Sequence, residues 1–474
     1  LQSMNKDISY INSTHGKRQL IFHGARYCVK QNNINSTLWR CTKENCPASV
    51  SVSHNDIIIR VNENHAHFID LNHIKVLELR HKLKHQAETS SDPIEKIVEF
   101  SYANMITKEK ITDSVVKLPT VKTLKNTVTK QRRKTRPPLP KLLDDLAFPL
   151  PLLYTLTENN NRFLLFDGLL GGKRGLIFSS EHDIEYLAYQ KWWYADGTFY
   201  TSPSIFYQIY SIHAFDEGLS TPCVFALLAD KLEPTYHDLF SILMNRIKEK
   251  SNTIQLECIT IDYELAVKNV FDKHYPHIKV KGCLFHYGKA LFRKFMNLNL
   301  KKAYQDDESL RIWFRSFAAI ALLPETNMDE ANHYLRSTKP LLYEKEIILF
   351  LDYHDKTYGI NSRFPPTMYN HYRNLNPRTT NYLEGRHNRW KKRSTKPHND
   401  IYMCIDMFKH EQLLASDERQ RHEAGAAPPK RRKKTLIAEE SLSRLWDKLE
   451  KNQITRDKFL KGAGLRYFQY MKIE

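Results

Sequence analysis

Two aspartates stand at the ends of apolar runs that read as buried strands. Trp192-Trp193-Tyr194-Ala195 leads into Asp196 and Gly197, and Ile259-Thr260-Ile261 leads into Asp262, Tyr263 and Glu264. A carboxylate delivered to the end of such a strand is costly unless it is paired, solvated or holding a cation. Hard divalent ions such as magnesium or manganese take carboxylate oxygens, so two or three such acids with open positions suit them. Two ions about 3.5 to 4 Å apart can activate a water and stabilise the leaving oxygen of a phosphodiester. One strand-end aspartate is weak evidence, because structural aspartates are commoner; two on adjacent strands with a fitting third acid are much stronger.

A second constellation lies near the start. Cys41 and Cys46 are followed, after eighteen intervening residues, by His65 and His67. Two thiolates and two imidazoles supply the four ligands of a tetrahedral zinc site. The alternative is two buried cysteines and a surface histidine pair. In a segment with little core, metal binding would supply much of the folding energy. Cys28 lies outside the ligand pattern and is expected to be buried.

The elements that must carry these residues follow from periodicity. Residues 1–15 read as a tag remnant (Leu1-Gln2-Ser3 before Met4) and a flexible N-terminus. Residues 16–70 read as short strands, with a hairpin turning at Asn55-Asp56. Residues 71–145 read as a helical, basic connector. Ser91-Asp92-Pro93 and Pro119-Thr120 start helices there. Lys122, Lys125, Lys130, Arg132, Arg133 and Lys134 crowd its last helix. Such helices could insert into a major groove, or present a solvated basic face. Pro137-Pro138-Leu139-Pro140 is a stiff linker.

From 146 to 300 the pattern is α/β. The strand carrying Asp196 begins a three-stranded antiparallel meander; a helix and the strand ending at Asp262 follow. That is the element order of an RNase H-like core, a mixed sheet with flanking helices in which the first and fourth strands are neighbours. Residues 301–375 are an all-helical insertion. Residues 376–415 return to the core, where Asn376 to Asn381 lead into a helix with Glu384 one turn in. Glu384, Asn388 and Gly385 are expected to face the sheet, leaving Arg386, Arg389, Lys391, Lys392 and Arg393 for phosphates. Glu384 could equally just complement a helix N-terminus. Glu325 and Glu330 compete for the third-acid role but lack the Asn-rich lead-in. Glu264 is expected on the following helix, behind the first ligands or at the surface. Residues 416–474 form a basic linker and a C-terminal helix; Lys430 to Lys434 fit a nuclear localisation signal.

The 474 residues carry a formal net charge of +19, which favours a polyanion partner, most simply nucleic acid. With 41% hydrophobic and 11% aromatic residues the chain is expected to fold rather than remain disordered. No apolar run is long enough to span a membrane, and no secretory signal is evident. Seven scattered cysteines argue against a disulfide framework and for a reducing compartment.

Phe22, Tyr27, Trp39, Cys41, Cys46, His65 and His67, in that order, resemble a FLYWCH-type zinc finger. Asp196-Gly197-Thr198-Phe199, Asp262-Tyr263-Glu264-Leu265-Ala266, Cys283-Leu284-Phe285-His286 and Thr380-Asn381-Tyr382-Leu383-Glu384-Gly385 resemble a Mutator-like element (MULE) transposase. The second resemblance covers residues 150 to about 410. It implies a DDE triad of Asp196, Asp262 and Glu384 on an RNase H-like fold, working with magnesium or manganese. Cys283 and His286 match the family's Cys-x2-His element; a structural or DNA-positioning role is favoured over metal, which would need His274 or His277 as well. The implied activity is cut-and-paste transposition: binding terminal inverted repeats, cleaving at the ends and joining 3′ ends to target DNA, as a homodimer or higher oligomer in the nucleus. The alternatives are a domesticated DNA-binding regulator without catalysis and a standalone RNase H-like nuclease.

Overall fold

A computed structural model describes residues 8–13, 16–69, 71–89, 94–108, 119–251, 253–394, 397–427 and 430–471. Leu1-Gln2-Ser3, the helix start at Ser91-Asp92-Pro93 and the prolines of the 424–429 linker lie outside the described residues. The chain divides into two units, Leu1–Pro138 and Leu139–Glu474, parting within the proline-rich linker.

The first unit opens with a six-stranded antiparallel sheet in chain order: β1 (Ile8–Asn12), β2 (Arg18–Phe22), β3 (Ala25–Asn32), β4 (Ser36–Cys41), β5 (Ser49–Ser53) and β6 (Ile58–Asn62). β1 falls in the stretch expected to be flexible; Ile8 to Asn12 pair with β2 throughout. Alternation decides the faces. In β5 the valines Val50 and Val52 are buried between half-buried serines. In β3 Tyr27 points inward, so Cys28, expected to be buried, is exposed. Three helices follow: α1 (Leu71–Thr89), α2 (Ile94–Lys108) and α3 (Val121–Thr135). Leu79, Leu83, Ile97, Val98, Leu124 and Val128 form their shared core. Ile74 and Leu77 of α1 pack with Ile11 and Ile21 of the sheet.

The second unit is built on a seven-stranded mixed sheet. Its elements are β7 (Leu164–Leu170), β8 (Lys173–Phe178), α4 (Glu181–Ala188), β9 (Trp192–Thr198), β10 (Gln208–Asp216), β11 (Leu219–Leu228), α5 (Glu233–Lys250), β12 (Cys258–Ile261), α6 (Leu265–His274), β13 (Lys279–Gly282) and α7 (Leu284–Phe295). The sheet order is β13-β12-β9-β10-β11-β8-β7. β9, β10 and β11 form an antiparallel meander, while β12 and β13 run parallel to β9. Strand β12 returns beside β9 rather than beside β11, which places the two aspartate-bearing strands next to each other.

Helices cover both faces. Trp193, Ile212 and Val224 pack with Leu239, Leu243 and Phe271 in one cluster, and Trp193 Nε1 donates to the Leu187 carbonyl at 3.3 Å. Trp192, its neighbour on the strand, points the other way and is half-buried. The helical insertion comprises α8 (Lys301–Asp306), α9 (Glu308–Ala318), α10 (Glu325–Ser337), α11 (Glu344–Tyr358) and α12 (Pro366–Tyr369). Next come α13 (Asn381–Arg393) and α14 (Ile401–Glu423), whose Trp390, Ile405 and Phe408 cover Phe178, Phe225 and Leu227 on the second face.

The tail forms two helices where one was expected, α15 (Lys433–Glu450) and α16 (Arg456–Met471). Their partner is the insertion. Trp446 Nε1 donates to the Leu322 carbonyl at 2.7 Å. A Cβ at Gly464 would stand 2.5 Å from the Arg315 carbonyl oxygen, so only glycine lets α16 approach the backbone of α9 there. Among the described residues, no helix is long and apolar enough to cross a membrane.

Candidate active site and candidate metal centre

Ala195 and Ile261 are register partners on parallel neighbouring strands, and each is followed by an aspartate. Asp196 and Asp262 therefore emerge side by side. Asp196 is only 6% exposed, and its Oδ2 lies 3.4 Å from His387 Nδ1. The other ring nitrogen of His387 is 3.0 Å from the hydroxyl of Ser211, the residue opposite Asp196 on β10. Glu384 sits in the first turn of α13. His286 joins the other two acids: its Nδ1 is 2.7 Å from Asp262 Oδ1 and its Nε2 is 3.1 Å from Glu384 Oε1.

This crowding sets the charges. Burial pushes the Asp262 carboxyl up, and the charges of Asp196 and Glu384 add to it; His286 works the other way, and the result is about 6. For His286 burial opposes the charged form, but contacts with Asp262, Cys283 and Glu384 outweigh it and hold the imidazole protonated well above its ordinary range. Burial also raises the Glu264 carboxyl, against a lowering by the Tyr236 hydroxyl.

Cys283 is the N-cap residue of α7 and is fully buried. Its sulfur accepts hydrogen bonds from the Thr380 backbone N–H at 3.3 Å and the Thr380 hydroxyl at 3.4 Å. The same loop is held elsewhere. Tyr194 Oη donates to the Pro377 carbonyl at 2.9 Å, and the Leu284 N–H donates to the Arg378 carbonyl at 2.8 Å. Arg378 reaches Glu439 of α15 at 2.5 Å. The loop that delivers Glu384 is thus tied to the Asp196 strand, to the helix carrying His286 and to the tail. Among the described residues, the ligand atoms of Asp262, Cys283 and His286 lie within 4.8 Å of one another, and neither His274 nor His277 belongs to that group. His274 instead lies against His237, ring centroids 4.4 Å apart.

Two expectations for α13 are corrected. Leu383, His387 and Trp390 are its buried stripe; Gly385 and Asn388, expected to face the sheet, are exposed. The spacing of three and four puts His387 inward beside Asp196. That stripe was the available signal for His387, obscured by the basic residues around it. Arg386 and Arg389, expected to be available for phosphates, are engaged by α14. Arg386 contacts Glu411 at 3.2 Å, Glu418 at 2.9 Å and the Ser220 carbonyl at 3.1 Å, and Arg389 contacts Glu411 at 2.5 Å. Glu411 is completely buried and draws both guanidinium groups to itself. Lys392 is exposed, and Lys391, also exposed, lies over the Tyr200 ring at 4.6 Å.

In the first unit, one ligand atom from each of Cys41, Cys46, His65 and His67 falls within 4.8 Å of the others. Cys41 Sγ is 3.2 Å from His67 Nε2, and Cys46 Sγ is 3.6 Å from His65 Nδ1. The remaining ring nitrogens have their own partners: His65 Nε2 meets the Tyr27 hydroxyl at 3.0 Å, and His67 Nδ1 meets the Phe68 carbonyl at 2.9 Å. Fixing the far nitrogen orients a metal-binding imidazole. Burial opposes ionisation of Cys46, but the N–H groups of Ala48 and Ala66, with Cys41 and His65, bring its thiol down to about 6, while burial raises Cys41. This donor set fits zinc.

The basic residues of α3 divide. Lys122, Lys130, Arg133 and Lys134 are exposed. Lys125 contacts Glu99 at 3.2 Å and Glu95 at 3.4 Å, and Arg132 is buried. Of the latter two, expected on a DNA-facing surface, Lys125 instead ties α3 to α2 and Arg132 is turned inward.

Residues 192–290 match the family described as the MULE transposase domain, and residues 10–67 match the FLYWCH zinc finger domain. No curated protein matches the chain significantly.

Proposed function

We infer that this chain, whose residues 192–290 match the MULE transposase domain and 10–67 the FLYWCH zinc finger domain, is a cut-and-paste DNA transposase of DDE type. The observation that carries the reading is the pairing of Ala195 with Ile261, which sets Asp196 and Asp262 side by side within reach of the group holding Glu384. The order β11-β10-β9-β12-β13, antiparallel then parallel about β9, supports an RNase H-like core.

Asp196, Asp262 and Glu384 offer carboxylate oxygens from two strands and a helix, a donor set that fits magnesium or manganese. When bound, such ions would activate water and stabilise the leaving oxygen of the cut strand. The chain's own part is positioning and charge. β9 and β12 hold two acids in register. His286 holds Glu384 facing Asp262, and Cys283 anchors the start of α13. The cut would leave a 3′ hydroxyl, which the same site would join to target DNA. The zinc finger and the exposed Lys122, Lys130, Arg133 and Lys134 would bind the terminal repeats; bringing two ends together requires at least a dimer. Lys430 to Lys434 would direct the protein to the nucleus.

The test is cleavage of duplex DNA carrying the element's ends, with magnesium or manganese, by the wild type and by Asp196→Asn, Asp262→Asn and Glu384→Gln. Each substitution is expected to lower the rate by about a hundredfold or more. Metal-independent cutting, or equal rates in all four proteins, would overturn the assignment.

A further inference from the structure

We propose that Glu264 is a fourth carboxylate of the divalent-ion pocket, working beside the side-chain oxygen of Gln208. The proposal rests on the catalytic reading above and adds ligands outside the triad.

Glu264 lies two residues beyond Asp262. Its N–H donates to the Asp262 carbonyl at 2.7 Å, a tight turn that keeps both acids at the same end of β12. Asp196, Asp262, Glu264 and Gln208 line one cavity of about 300 Å³, with Lys231 and Arg293 also in its wall. Glu384 is not among the lining residues; it meets His286, which lines the cavity, at 3.1 Å.

The second observation is Gln208. It is completely buried, and its Nε2 donates to the Asp230 carbonyl at 3.3 Å and to the Tyr236 hydroxyl at 2.7 Å. A carbonyl can only accept, so the amide orientation is settled and Oε1 is left on the cavity side. That oxygen is buried without a hydrogen-bond partner, and so is Glu264 Oε1. A Cβ at position 197 would stand 2.4 Å from Gln208 Oε1, so Gly197 is what lets this oxygen lie against β9 beside Asp196. Two orphaned buried oxygens in one cavity are expensive. Lys231 does not relieve them at close range: its ammonium lies over Phe199 and Tyr207, at 5.6 and 5.8 Å from the ring centroids. A hard cation accepts a carboxylate oxygen and an amide oxygen together, and satisfies both.

The experiment is a manganese titration of the full chain, followed by calorimetry and by the paramagnetic signal of free Mn²⁺. It compares the wild type with Glu264→Gln, Glu264→Asp and Asp196→Asn, and thermal melts confirm folding. Glu264→Gln is expected to weaken Mn²⁺ binding about tenfold or more, the loss typical of a supporting ligand. Glu264→Asp, which withdraws the carboxylate by one methylene, is expected to weaken it by a smaller factor. Wild-type affinity in Glu264→Gln, alongside lost binding in Asp196→Asn, overturns the role of Glu264 and leaves the catalytic reading standing. If Glu264→Gln does not fold, wild-type affinity in Glu264→Asp overturns it. Unchanged binding in Asp196→Asn as well removes the metal pocket itself, and both readings fall together.

Discussion

The sulfur of Cys283 accepts both the backbone N–H and the hydroxyl of Thr380, at 3.3 and 3.4 Å. This joins the start of the helix carrying His286 to the start of the helix carrying Glu384. Cys283→Ala is expected to lower cleavage turnover between about tenfold and a hundredfold by letting Glu384 drift. The zinc content of the protein should not change. Steady-state cleavage together with elemental analysis checks this; a loss of bound zinc would mean that the Cys-x2-His element holds a metal of its own.

The zinc finger can be probed without touching a ligand. Tyr27 is fully buried with its hydroxyl on His65 Nε2, so Tyr27→Phe removes the group that orients the ring and keeps the aromatic packing. Zinc affinity should fall between about tenfold and a hundredfold, read by competition with a chromogenic chelator. Cys41→Ser should abolish stoichiometric zinc altogether.

The raised Asp262 carboxyl makes stability depend on pH in a defined direction. Its value rises from an ordinary 3.8 to about 6 on folding, so the folded protein binds that proton more tightly than the unfolded chain. The resulting stabilisation is present below the unfolded value and is lost as pH rises through about 6. Without divalent ions, the melting temperature should carry a component that falls over this interval and is missing in Asp262→Asn. Magnesium or manganese binds the ionised carboxylate, so it should raise the melting temperature more at pH 8 than at pH 5. Thermal melts across pH, with and without the ion, decide the matter.

Glu411 is a buried anion held by Arg386 and Arg389, with Arg393 at 4.0 Å. Removing it takes the shared anion from Arg389 and Arg393 and leaves Arg386 only Glu418 and the Ser220 carbonyl. Glu411→Ala should cost about 3 kcal/mol or more, measured by chemical denaturation. A change below about 1 kcal/mol would mean that the arginines find other partners.

Much of the site was legible before any packing was known. Apolar runs over Trp192 to Ala195 and over Ile259 to Ile261 read as two buried strands, and position along them put an acid at each end. The spacing of Cys41, Cys46, His65 and His67 named a ligand set because a tetrahedral ion demands four donors whatever the surrounding fold. Glu384 is different: helix signals and an Asn-rich lead-in located it, but its role as third acid came from the likeness to a family.

The features readable along the chain were those that recur within a few residues: strand and helix periodicity, caps, turns and ligand spacing. The tertiary structure alone decided the pairings between distant segments. It turned His387 rather than Asn388 toward Asp196, because Leu383 and Trp390 bury that side of α13. It gave Arg386 and Arg389 to a glutamate on the next helix, and it set Cys283 against Thr380, 97 positions along the chain. It also packed the tail against the insertion and its Glu439 against the loop before Glu384. The physical reason is that local periodicity fixes which way a side chain points from its own element, whereas its partner depends on which other surfaces must be buried in the same place.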